Sequence, residues 1–297
     1  MKKMNYYFVG FLFLLLLSGC KSGITENKQT AVQSSDSVPD VSNIKNVLKN
    51  TYYLFPSPVE VMVAINQGGL VFEPKLMNSL EKMEKYVKPN DQYLNIGVYL
   101  ADMSYCAIFG RNSDAENYLE TIKRLSDDVS LSSEINNDLM EKVKNNENSV
   151  DSLIKISNEF FFKIVNDLEQ NNRQNDVAVI STGAYIECLY LSANLVKKYT
   201  ANNLIILKIA EQKHAFGNLF KYSQKHISYQ DLTKYFAYLK QINDDFGKFS
   251  EQKENVNVKE DAKHRLLISG GNITVISEDE FKAFKENITK IRNSITK

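Results

Sequence analysis

Asp102 and Glu187 are the residues of this chain best placed to do chemistry. Each is the one ionisable side chain in a stretch otherwise free of charge, residues 94–109 (LNIGVYLADMSYCAIF) and 178–196 (AVISTGAYIECLYLSANLV). Tyrosines accompany both. Gly97-Val98-Tyr99 precedes Asp102 and Tyr105 follows it, while Gly183-Ala184-Tyr185 precedes Glu187 and Tyr190 follows. A carboxylate cannot be buried without a partner, because losing its hydration costs several kcal/mol. Three uses are therefore open. The acids can be structural, accepting hydrogen bonds from tyrosines or pairing with Arg111 or a lysine. They can line a ligand-binding groove with Tyr99, Tyr105, Tyr185 and Tyr190. Or they can form a catalytic pair, which requires divergent pKa values and a separation of about 5–9.5 Å.

Other chemistry is thin. His214, His226 and His264 are scattered, with no two spaced to build a metal site on one helix face. The chain has no Gly-x-Ser-x-Gly elbow, no phosphate loop and no Cys-x-x-Cys. No metal, no cofactor and no enzymatic activity is expected. Cys106 and Cys188 lie in apolar helical stretches, where a free cysteine behaves as a small hydrophobe, so no bridge is expected. Sixteen tyrosines could serve a sugar site, but the lack of tryptophan argues against one. Phe160-Phe161-Phe162 is expected to fill a core, because three consecutive helical side chains point in different directions.

The elements that must position these residues read as helix after helix. Five prolines and twelve glycines in 297 residues, with abundant Lys, Glu, Asn, Leu and Ile, favour helix over a turn-rich β fold. Periodicity and capping predict helices near 41–50, 58–67, 74–87, 91–109, 114–128, 132–145, 149–172, 176–199, 202–224, 229–248 and 278–294. Ser57-Pro58-Val59-Glu60 reads as an N-cap, a proline at the first helical position and an early acid. Ser113-Asp114-Ala115-Glu116 and Ser277-Glu278-Asp279-Glu280 read as capping boxes. Residues 251–263 read as a charged connector. A small β-hairpin is expected near 265–276, turning at Ser269-Gly270-Gly271-Asn272. Leu94-x-x-Gly97-x-Tyr99…Ala115 faintly echoes a tetratricopeptide repeat, but later helix pairs do not repeat it. The expected fold is all-α, an antiparallel α/α bundle or a short irregular α-solenoid. Helices apolar on every face belong in the middle, so 94–109 and 178–196 are expected to form the central layer and to touch.

The first twenty residues carry an address. Lys2 and Lys3 open the chain, Tyr6 to Leu17 follow without a charge, and Leu17-Ser18-Gly19-Cys20 closes the segment. The apolar run is short for a membrane span and suits a secretory signal over residues 1–19. Leu-Ser-Gly-Cys resembles the lipobox of bacterial lipoproteins, which implies that Cys20 is lipidated and becomes the mature N-terminus. Several acyl chains would hold the protein firmly, at about 0.8 kcal/mol per buried methylene. Residues 21–40 are polar, small and free of aromatics, as a flexible tether would be. Asp36-Ser37-Val38 resembles an O-glycosylation site of Bacteroidetes, at Ser37; Asp151-Ser152-Leu153 matches it too, within an expected helix. Residues 41–297 are expected to form one helical domain.

Tyr53-Leu54-Phe55-Pro56-Ser57-Pro58-Val59-Glu60, Leu94 to Asp102, Phe109-Gly110-Arg111 and Gly183 to Tyr190 resemble a family of helical lipoproteins from Bacteroidetes. The resemblance spans most of residues 45–295. It implies a shared fold and an exported location, and carries no catalytic assignment. Surface-displayed lipoproteins of such bacteria often place acids just after the lipidated cysteine. Lys21-Ser22-Gly23 at that position implies an outer-membrane protein facing the periplasm.

Charge sets the partner classes. Lysine and arginine total 36 against 36 acids. Loss of Lys2 and Lys3 with the signal leaves 34 against 36, a net charge of −2. No basic track suggests nucleic acid. The expected function is a lipid-anchored, non-enzymatic envelope protein that binds protein or peptide partners. The alternative is a small-ligand binder for glycan or peptidoglycan fragments, using a groove around Asp102 and Glu187.

Overall fold

Charge-free helices have no face to turn to water, and this rule organises the domain. A computed structural model describes residues 55–66, 71–131, 141–142, 149–227, 233–260 and 266–297, with 254–260 and 266–270 described by their backbone. The chain divides into two units, Met1–Asp40 and Val41–Lys297, and all the described residues belong to the second. Cys20, Ser37, His264, the helix expected at 41–50 and all but residues 141–142 of the helix expected at 132–145 lie outside the described residues.

The described helices are α1 (Pro58–Asn66), α2 (Pro89–Ile108), α3 (Asn112–Asp128), α4 (Val150–Gln170), α5 (Gln174–Leu195), α6 (Leu204–His226), α7 (Thr233–Lys248) and α8 (Glu278–Ile295). A two-stranded sheet, β1 (Ser250–Glu260) and β2 (Leu266–Val275), precedes α8. Every residue of α2 from Gln92 to Ile108 is buried, as is every residue of α5 from Val177 to Ala193. These two helices pack on each other more extensively than any other pair of helices, with α3, α4, α6, α8 and α1 around them. The protein is therefore an all-α bundle with a small hairpin. A solenoid is excluded, since each of its repeats would touch only its neighbours, whereas α2 meets α5 and α8 far along the chain.

Two glycines let the central pair close up. A Cβ on Gly97 would lie 2.7 Å from the Ala184 amide nitrogen and closer still to the Ile180 carbonyl oxygen. A Cβ on Gly183 would collide with the Leu94 carbonyl, 2.9 Å from its carbon. The outer helices are amphipathic. On α3 the buried residues Ala115, Tyr118, Leu119, Ile122 and Leu125 recur at helical spacing, and Phe160, Phe161 and Phe162 of α4 are all core.

Local signals succeed where the chain supplies the whole motif. Ser57 and Glu60 cap α1 reciprocally, at 2.8 and 3.3 Å. Ser277 and Glu280 form the expected capping box on α8. Gly110, at φ +63°, ends α2 and lets the Arg111 N–H return to the Cys106 carbonyl at 2.9 Å.

Other expectations need correcting. The box at Ser113 does not form: α3 already begins at Asn112, and Asp114 is taken by the Arg111 guanidinium at 2.9 Å. The helix expected over 74–87 is two short 3-10 turns, Pro74–Leu76 and Leu80–Lys85, with extended backbone at Met77 and Ser79. Residues 251–260, read as a connector, form most of β1. The two strands therefore span 250–260 and 266–275, pairing from Ser250 with Val275 to Glu260 with Leu266, and Ser269 to Asn272 lie inside β2 instead of forming a turn. Gly271, at φ +93°, lies within β2 opposite Glu254, beside a register shift between Glu254 and Asn257. A glycine with positive φ serves a bulge as well as a turn, and backbone pairing needs no apolar side chains. Hence the charged strand was illegible by composition.

Candidate functional site

The structure brings Asp102 and Glu187 together. Asp102 lies five residues after Gly97, and Glu187 four after Gly183, so the close approach at the glycines carries both acids into one buried region. Both are completely buried, and the charge of Glu187 acts on Asp102. The partner is neither Arg111, which pairs with Asp114 at the surface, nor a lysine. It is Arg292 of α8. Its Nε donates to Glu187 Oε2 at 2.9 Å and its terminal nitrogen to Oε1 at 3.0 Å, and its guanidinium lies 4.6 Å from the centre of the Tyr190 ring. The same terminal nitrogen also donates to the Leu76 carbonyl at 3.2 Å.

The tyrosine hydroxyls expected to receive a ligand grip the protein's own chain. Tyr105 accepts from the Glu73 N–H at 2.8 Å, and Tyr99 donates to the Ser79 carbonyl at 3.0 Å. Asp102 Oδ2 accepts from the Asn78 N–H at 3.1 Å, and Tyr118 donates to the Asn78 carbonyl at 2.9 Å. Tyr185 points away, toward Gln212 of α6 at 3.0 Å. Residues 73–86 thus form a strap whose backbone groups are satisfied by side chains of α2, α3 and α8. That is the physical reason it is not a helix: a carbonyl or N–H already held by a side chain has less to gain from the helical ladder.

The electrostatics follow from burial. Desolvation, reinforced by the charge of Glu187, pushes Asp102 well above the carboxylate range despite the opposing pull of Arg292. Burial also pushes Glu187 up, with Arg292 pulling it back. Arg292 is raised by Glu187 and Asp102 against its own burial. Burial lifts Tyr105 to about 12 and raises Tyr99, Tyr118, Tyr185 and Tyr190, so all remain neutral hydroxyls at physiological pH.

Cys106 and Cys188 are free and buried. One contacts the Met77 sulfur at 3.5 Å and the other the Pro58 carbonyl at 3.6 Å. His226 packs its ring 4.6 Å from that of Tyr222. Among the described residues, no group of three or more His, Cys, Asp or Glu side chains could hold a metal ion, and no helix is long and apolar enough to cross a membrane.

An open cleft of about 550 Å³ lies beside the strap, lined by Met83, Glu84, Tyr86 and Val87 with Gln92 of α2 and Arg124 of α3. Glu84 and Arg124 form a surface ion pair at 2.8 Å, and Val87 is 78% exposed.

Sequence reasoning missed Arg292, Asn78 and Tyr118. Arg292 did carry a signal. It is a lone cation among Phe281, Phe284, Ile288, Ile291 and Ile295, the apolar stripe of α8. Set against protein-family models, curated proteins and solved structures, the chain matches none.

Proposed function

We propose that this is a lipid-anchored protein of the bacterial envelope, held at Cys20 and spaced by residues 21–40, whose helical domain binds a protein or peptide partner at the cleft beside the strap. The reading adopts the kinship with Bacteroidetes helical lipoproteins and an outer-membrane site facing the periplasm. The observation that carries it is the division between interior and surface. Asp102, Tyr99 and Tyr105 are committed to the strap and Glu187 to Arg292, and all four are completely buried, away from any ligand at the surface. The cleft, in contrast, combines an exposed valine with Glu84 and Arg124, whose pairing across open solvent contributes about 0–1 kcal/mol and is easily exchanged. Apolar anchors beside exchangeable charges suit a polypeptide segment.

The anchor is tested by fractionation. Cys20→Ser is expected to move the protein from membranes to the soluble envelope fraction; a variant still wholly membrane-bound counts against lipidation. The cleft is tested in the same cells with a photo-crosslinking amino acid at Val87 and, as control, at the equally exposed Val71, which does not line it. A discrete adduct from position 87, absent from 71 and weakened at least severalfold by Arg124→Glu, is expected. Equal adducts from both positions, or none from either, would sink the cleft.

A further inference from the structure

Two acids and one fixed cation meet in the core, so the charges of the cluster do not balance. Glu187 and Arg292 neutralise each other through two contacts. Asp102 receives the Asn78 N–H on Oδ2, while its Oδ1 is buried with no hydrogen-bond donor among the described residues. Two completely buried acids thus share one guanidinium, and an Asp102 with no donor on Oδ1 stays in the core at lower cost as the neutral acid. We infer that Asp102 keeps a structural proton and that this proton latches the 73–86 strap onto the body of the domain.

The other described groups that face the cluster bring no second cation into contact with it. Tyr99, Tyr105 and Cys106 face it from α2, Tyr118 from α3, and Cys188 and Tyr190 from α5, all pushed up by burial and neutral. The strap contributes Tyr86, also neutral, and Lys82. The Lys82 ammonium is directed at the Thr296 carbonyl, 2.7 Å away, and is not bonded to either acid. Arg292 is thus the cation in contact with the pair. Deprotonation of Asp102 would leave a buried negative charge uncompensated, and water is the available relief.

The strap is the element that can let water in. Its backbone is bonded to side chains of the body, and apart from Asn78, Met83 and Tyr86 its side chains are half-buried or exposed. Two of those bonds end on the cluster itself, Asn78 on Asp102 and Leu76 on Arg292. The sign is set by linkage. The closed strap holds a proton that an opened, hydrated Asp102 releases above its ordinary value of 3.8. Opening therefore rises with pH, by up to about tenfold per pH unit, until the raised pKa of the closed state is passed. Because the strap supplies Met83, Glu84, Tyr86 and Val87 to the cleft, the latch would also gate partner binding. That consequence rests on the proposed function; the latch itself does not.

Hydrogen exchange of the full chain, followed on peptides covering 73–86 between about pH 6 and 9 and corrected for intrinsic rates, tests it. In the wild type, the extent of opening is expected to climb with pH, by up to about tenfold per unit, while α6 peptides show no such slope. Asp102→Asn mimics the protonated acid, still accepting from Asn78 through its oxygen, and should flatten the slope. Glu187→Gln removes the competing acid, leaves Arg292 to balance Asp102, and should flatten the slope as well; it serves if the first variant fails to fold. A wild-type strap with pH-independent protection, or variants as pH-dependent as the wild type, would overturn the latch. Crosslinking at Val87 is read separately, so a failed partner search leaves this result intact.

Discussion

Arg292→Leu is expected to destabilise the domain by about 3–5 kcal/mol, the cost of leaving a buried charge without its partner. Glu187 is completely buried and would lose both guanidinium contacts. The Leu76 carbonyl would lose its donor and the Tyr190 ring its cation. A large share of the total is at stake, because domains of this kind are held by about 5–15 kcal/mol. Urea unfolding followed by helical circular dichroism measures it, as a lower midpoint with an unchanged slope. Adding Glu187→Leu to Arg292→Leu should recover much of the loss, since an apolar pair can replace a buried ion pair at little cost. A single-variant loss below about 1 kcal/mol would mean that water reaches the pair and that burial does not set its energetics.

Gly97→Ala is the second large effect, a net loss of about 2–4 kcal/mol. Replacing glycine inside a helix ordinarily gains about 1 kcal/mol of propensity. Here the new methyl would meet the Ile180 and Ala184 backbone, which cannot rotate aside as a side chain could. Overpacking of a core costs about 1–3 kcal/mol even when side chains yield, and separating α2 from α5 also disturbs Asp102 against Glu187. Gly183→Ala should behave alike from the other side, and the double variant should lose less than the sum, because both act on one crossing. Gly217 is the control: nothing lies within 4 Å of the added carbon, so Gly217→Ala should be neutral or stabilising by up to about 1 kcal/mol. Thermal or urea unfolding of the three variants decides the matter. Equal behaviour at positions 97 and 217 would show that the central pair is not in close backbone contact.

The two effects share a cause that bears on how the chain can be read. Each of two charge-free helices carries one acid shortly after a glycine, and their lack of charge pointed to a central pair in contact. The pattern does not say what the carboxyls are for. An acid with tyrosines at helical spacing looks the same whether the hydroxyls face a ligand or the protein's own backbone. The strap that occupies them is itself a misleading stretch. Residues 74–87 have helical periodicity, but their carbonyls and N–H groups are held by Arg292, Asp102, Tyr118 and Tyr99, side chains from three other helices. The charged β1 strand was hidden for another reason: its bonds to β2, the next element, join backbone to backbone and leave no mark on composition.

Sequence by itself determined the all-α class, the central position of 94–109 and 178–196 and the caps at Ser57 and Ser277. Each of these follows from residues within one turn or one face of a helix, where propensity, capping and periodicity act. Tertiary structure alone decided that Glu187 takes Arg292, 105 residues away, that Asp102 and the tyrosines hold the strap, and that the open surface lies beside Val87 and not between the acids. Those choices depend on which distant donor first meets a buried charge. Desolvation demands a partner for Glu187 and Asp102, but only the packing of the helices names it.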